Sequence, residues 1–141
     1  MNDLEGAGLK LRRLGEHVQQ LRRFQTHTRR DFRQDVILGA AVCRYLHMAI
    51  ELAIDIGELV VAGQLWPRPD DHVEVMTRLG EKRVLPTSLA RKMERAVKFR
   101  HRLVHEYTKL DWGKVEANLT TLPDHLEAFA RAVSRFVGRR N

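Results

Sequence analysis

The sequence predicts an all-α protein, an antiparallel bundle of about five to six helices. Three observations carry this. Apolar residues recur at three- and four-residue intervals along most of the chain, the period of a helix. No segment alternates convincingly with the two-residue period of a half-buried strand. Glycine and proline fall where helices stop or start. The 141 residues, 43% hydrophobic and 30% charged, fit one domain over residues 1–141, large enough to bury a core.

Leu11, Leu14, Val18 and Leu21 repeat among charged residues, which predicts an amphipathic helix from about Leu4 to Thr28. From about Phe32 to Ala62 the chain is more apolar. Ile37, Ala40, Ala41, Leu46, Ile50, Ile54 and Val61 leave little polar face, so this segment is expected to be the central buried helix. Gly63 stops it, and Pro67 and Pro69 hold the next turn extended. Val73, Val75, Met76 and Leu79 predict a short third helix ending at Gly80. Pro86 suits the first position of a fourth, which runs to about Tyr107. Asp111 reads as the N-cap of a short fifth helix, and Pro123 as the start of a sixth running to about Val137.

The run from Val36 to Cys43 is among the longest without charge and is far too short to span a bilayer. The first residues, Met1 to Leu14, have neither the apolar core nor the cleavage site of a secretory signal. A cytoplasmic protein without membrane contact is expected. The single cysteine, Cys43, lies among apolar residues and reads as a buried, inert thiol. The net charge is +7, with basic pairs at Arg12–Arg13, Arg22–Arg23, Arg29–Arg30 and Arg139–Arg140. Two readings of the pairs stand: a nucleic-acid or acidic protein partner, or solvated helix faces.

His47, Glu51, Asp55 and Glu58 share one face of the central helix, and no Lys or Arg occurs between Arg44 and Arg68. Buried carboxylates need a partner, so this row is expected to meet water or a cation from another element. The fourth helix offers one. Leu89, Met93, Val97, Val104 and Tyr107 mark its apolar face, and Arg100 falls on that face. We expect Arg100 to point inward, with Glu51 or Asp55 receiving it. The alternative is a guanidinium that snorkels to the surface.

Arg100, His101, His105 and Tyr107 gather a permanent cation, two imidazoles and a phenol within eight residues. Arginine clamps phosphates and histidine moves protons near neutral pH, a set suited to cutting RNA without a metal. Arg100 and His105 lie about 140° apart around one helix, so one chain resembles half a site and a two-fold dimer would supply the rest. His101 and His105 have the spacing of a helical zinc pair. The residues after them do not complete the metal pattern, and no metal or other cofactor is expected.

At these residues the chain resembles the HEPN superfamily and, within it, the HepT-like toxins. Arg100, His105, Glu106 and Tyr107 match that family's Arg, four residues, His, any residue, Tyr. The segments Ala49–Gly57, Val84–Ala90 and Lys109–Asp111 follow the family pattern too, and the similarity runs from about Leu9 to Val137. The resemblance implies a helical homodimer whose motifs line a cleft at the interface. It implies a metal-independent endoribonuclease, the toxin of a type VII-like toxin–antitoxin pair. Its partner would be a cognate minimal nucleotidyltransferase antitoxin that silences it by adding AMP to the motif tyrosine. Arg100 and His105 would then be catalytic and Tyr107 the modification site. His101 stands where many HepT sequences carry Asn, and Arg102 is more polar than usual mid-motif.

On this resemblance the expected reaction is transesterification. His105 takes the proton of a ribose 2′-OH, which attacks the adjacent phosphorus, and Arg100 stabilises the added charge. His101 or the partner subunit's His105 protonates the leaving 5′-oxygen. The alternative is a non-catalytic HEPN dimer that binds a nucleotidyltransferase or a nucleotide. A nucleic-acid binder working through its Arg pairs is a third reading. It lacks a helix-turn-helix signature, because the second helix is too apolar to enter a groove.

Overall fold

The computed structural model describes residues 3–105 and 109–140, with side chains over 5–103 and 109–139. Six α-helices follow one another: α1 (Asp3–Arg23), α2 (Arg29–Gln34), α3 (Val36–Gly63), α4 (His72–Glu81), α5 (Thr87–His105) and α6 (Trp112–Arg140). A 3-10 turn at Phe24–Thr26 follows α1, and no strand occurs among the described residues.

Helix α3 is the axis of the bundle and touches all five others. Its 28 residues span about 42 Å. By length and hydropathy alone α3 could cross a membrane. Here its buried residues, from Gly39 to Val61, face neighbouring helices, while Arg44, Glu51 and Glu58 reach water. The core joins Leu14, Val18 and Leu21 of α1 and Leu46, Ile50 and Ile54 of α3. It continues through Met76 and Leu79 of α4, Met93 and Val97 of α5, and Leu126 and Phe129 of α6. Cys43 is buried within it, and desolvation pushes its thiol up to about 11, which keeps it protonated near neutral pH.

Three expectations about the elements are corrected. The apolar segment is two helices rather than one. Thr28 and Asp31 form a reciprocal capping box that starts α2. Asp35 then caps α3, its carboxylate accepting from the Leu38 N–H at 3.1 Å. Val36 and Ile37 are 77% and 82% exposed, so Ile37 is not a core residue. At its far end α3 closes at Gly63 as expected, and Leu65 takes the left-handed conformation (φ 57°) that glycine more often occupies.

The predicted fifth and sixth helices are one. Asp111 does start α6, its Oδ1 accepting from the N–H groups of Gly113 and Lys114 at 2.9 and 3.3 Å. Helix α6 then continues through Pro123. Proline has no N–H for the carbonyl four residues back, here that of Leu119. The side-chain amide of Gln25, just after α1, donates to that carbonyl at 3.0 Å. A residue from another element thus satisfies the acceptor the proline leaves open. Nearby, Arg22 of α1 binds Asp124 and Glu127 on the same helix, Asp124 at 3.1 Å.

Candidate functional site

Helix α5 carries the motif. Thr87 follows Pro86, whose carbonyl accepts the Ala90 N–H at 2.9 Å in the first turn. Leu89, Met93 and Val97 are buried as the spacing predicts, and so are Ala96, Phe99 and Leu103. The buried arc is therefore wide, and Arg100 sits on one flank of it.

The Arg100 side chain is only 18% exposed. Its Nη2 lies 3.8 Å from Oε1 of Glu51, a half-exposed residue on α3. That separation is an ion pair and too long for a hydrogen bond. Among the described residues Nε of Arg100 is buried without a hydrogen-bond partner. A guanidinium has five N–H donors in a planar fork, and this one is largely withdrawn from water with its Nε donor unpartnered. Asp55, the other expected receiver, instead lies 3.6 Å from Lys10 of α1. The acidic row does not need one buried cation. Glu51 and Asp55 are 48% and 41% exposed, and water solvates them.

His47, expected only as a member of the polar row on the central helix, joins this site. Its Nε2 is 3.2 Å from Oε2 of Glu51, so one carboxylate faces the imidazole with one oxygen and Arg100 with the other. The ring is 17% exposed, and its Nδ1 is buried without a partner among the described residues. Burial first and the charge of Arg100 second lower its pKa, which favours the neutral ring. In that state Nε2–H donates to Glu51, leaving Nδ1 as a free acceptor. The i, i+4 spacing of His47 and Glu51 beside an inward arginine was the available signal.

His101 is exposed on α5. His105 ends α5, with its side chain outside the described residues, and Tyr107 lies outside them altogether. The start of α6 is anchored by packing. The ring of Trp112 stacks on Phe32 of α2 (centroids 6.3 Å apart) and packs against Gly39 of α3. Trp112 thus ties the start of α6 to the end of the bundle where Val36 and Ile37 are uncovered. No cluster of three metal-ligating side chains occurs among the described residues.

Among the described residues the chain is a strand-free bundle around one apolar axial helix, with a withdrawn arginine near the end of α5, an all-helical protein as the motif resemblance implies. The ribonuclease HepT-like family model matches residues 14–133, and the chain belongs to that family. A curated relative, the tRNA nuclease HepT of Aphanizomenon flos-aquae (strain 2012/KM1/D3), is 21% identical over 128 residues, covering 91% of this chain and 87% of its own. Among solved structures, a tri-AMPylated Shewanella oneidensis HEPN toxin in complex with MNT antitoxin superposes with a TM-score of 0.78. It is 21% identical, with 96% of this chain and 99% of that chain covered. A toxin–antitoxin structure with AMP-PNP gives a TM-score of 0.78 at 20% identity, covering 94% and 98%. The cytosolic protein of unknown function YutE from Bacillus subtilis gives 0.69 at 20%, covering 87% and 90%. At these identities the superpositions establish a shared fold.

Proposed function

We propose that this protein is a metal-independent endoribonuclease, the toxin of a two-component pair, acting as a cytoplasmic homodimer. The observation that carries the reading is the state of Arg100. A largely buried guanidinium with one carboxylate at ion-pair distance and an unpartnered Nε is a poor stabilising device. It is well suited to receive a phosphate. The family model and the tRNA nuclease relative support RNA as the substrate class.

In the proposed reaction His105 removes the 2′-OH proton and the 2′-oxygen attacks phosphorus. The P–O5′ bond then breaks, and His101 or the partner subunit's His105 returns a proton to the leaving oxygen. The products are a 2′,3′-cyclic phosphate and a 5′-hydroxyl. Arg100 stabilises the charge on the non-bridging oxygens, with Glu51 orienting it; Asp55 is left to Lys10. The uncovered Val36 and Ile37 support a second copy at this end of the bundle. Tyr107, close in sequence to His105, is the proposed acceptor of AMP from a cognate nucleotidyltransferase. The AMPylated neighbour bound to its antitoxin supports that assignment.

The test is cleavage of total RNA by wild type, Arg100→Ala and His105→Ala, with end-group analysis. Cyclic-phosphate products are expected from wild type, with rates about 10²–10⁴ lower for His105→Ala. Absence of cleavage by wild type and both variants would favour the non-catalytic dimer. Intact-mass analysis with the transferase is expected to add AMP to wild type and none to Tyr107→Phe.

A further inference from the structure

Beyond the motif, α5 and α6 enclose a second feature. A groove of about 320 Å³ runs between them, and Lys92, Arg95, Lys98 and Arg102 of α5 and Lys114 of α6 line it. No carboxylate lines it, and among the described residues none of these five cations has a salt-bridge partner. Asp111 borders the adjoining hollow, where its Oδ1 already accepts two backbone N–H groups. His125 on the α6 wall has its pKa lowered, by burial first and by Lys92 next, as a ring facing a cationic surface should. Five cations in a groove with no carboxylate in its lining repel one another and raise the energy of the free protein. An anion running along the groove relieves that repulsion.

We propose that the α5–α6 groove holds the phosphate backbone of RNA and guides the strand to the motif end of α5. The proposal rests on the ribonuclease reading and extends it to where the substrate lies away from the reacting bond. Lys92 to Arg102 is a run of about 15 Å along the helix, too long for a single phosphate and suited to a chain of them. Lys98 and His105 are seven residues apart, within about 20° of the same helical face. The groove therefore lies on the side of α5 where His105 stands, while Arg100 approaches from the α3 side. Phe99 is only 8% exposed and no Tyr or Trp lines the groove, so the half-buried His125 is the one ring it could offer a base. Recognition there is expected to be electrostatic and indifferent to sequence.

The experiment measures binding of a fluorescent 2′-O-methyl RNA oligonucleotide, which keeps the phosphates and lacks the nucleophile, across a salt series. Wild type is compared with Lys92→Gln/Arg95→Gln/Lys98→Gln and with an equal-charge control, Arg12→Gln/Arg13→Gln/Arg33→Gln. All six positions are exposed, and thermal melts check that the variants fold. At about 0.7 per phosphate contact, the groove variant should lower the slope of log K against log salt by about 2 and affinity at 0.15 M salt on the order of fiftyfold. The control should bind as wild type does. The proposal is overturned if wild type does not bind, if the groove variant keeps the wild-type slope, or if the control loses as much. A groove variant that keeps RNA and loses a nucleotidyltransferase partner would make this a protein-docking face instead. Cleavage of natural RNA separates the two claims. Groove-dependent binding without cleavage defeats the ribonuclease reading alone, and cleavage that ignores the groove variant defeats the groove alone.

Discussion

Arg100 of α5 and Glu51 of α3 face each other across the bundle with Nη2 and Oε1 3.8 Å apart, and His47 holds the second carboxylate oxygen at 3.2 Å. Glu51 is half exposed, so solvent screens the pair and its contribution to stability is about 0–1 kcal/mol. Its value lies in the direction it gives the guanidinium. Glu51→Gln is expected to shift the melting temperature little and to lower kcat more than it raises KM. Arg100→Lys should fall between wild type and Arg100→Ala, because lysine keeps the charge and loses the planar fork. A large loss of stability with unchanged kcat would make the pair structural.

His47 predicts a dependence on acid. Its folded-state pKa lies below the ordinary 6.5, from burial and the charge of Arg100. As pH falls below about 6.5 the unfolded chain takes up a proton that the folded chain resists. Stability should therefore rise with pH through the window below 6.5 and decline toward acid. His125, lowered by burial and Lys92, acts in the same sense. Denaturant titrations at neutral and mildly acidic pH measure the slope. His47→Gln should flatten it, and an unchanged slope in that variant would remove His47 from the account.

Gln25 and Pro123 predict a coupled pair. Gln25→Ala leaves the Leu119 carbonyl without its donor and should cost about 1 kcal/mol. In a Pro123→Ala background the new N–H can take that carbonyl, and the same change should cost much less. Equal costs in both backgrounds, measured as a double-mutant cycle, would show that the Gln25 bond does not compensate the proline.

Gly39 predicts a steric limit. A β-carbon there would sit 2.6 Å from the Phe32 carbonyl oxygen and 2.8 Å from the Trp112 ring. The oxygen belongs to backbone and cannot swing away. Gly39→Ala is expected to cost roughly 1–3 kcal/mol and to loosen the α2–α3–α6 corner below the motif. Retention of wild-type stability and of the Trp112 fluorescence would count against this packing.

The helices were legible because burial imposes a 3.6-residue period on each. The pattern of Leu14, Val18 and Leu21 survives intact as the buried side of α1. The Thr28 and Asp35 caps were present as letters, yet the apolar run around them outweighed them. That hid the break between α2 and α3. Pro123 was read by its local chemistry, which favours a helix start. The Gln25 amide that lets α6 pass through it comes from far away in the chain.

The sequence by itself determined an all-helical bundle and the motif reaching to Tyr107, and it left Arg100 either inward or snorkelling, because periodicity and local residue chemistry are properties of neighbours along the chain. Only the tertiary structure decided that Glu51 rather than Asp55 faces Arg100, that Lys10 takes Asp55, and that His47 shares the site. It also gathered Lys92, Arg95, Lys98, Arg102 and Lys114 along one groove. Charge pairing acts over a few ångströms between elements far apart in sequence, so which ion meets which is settled only when the helices pack.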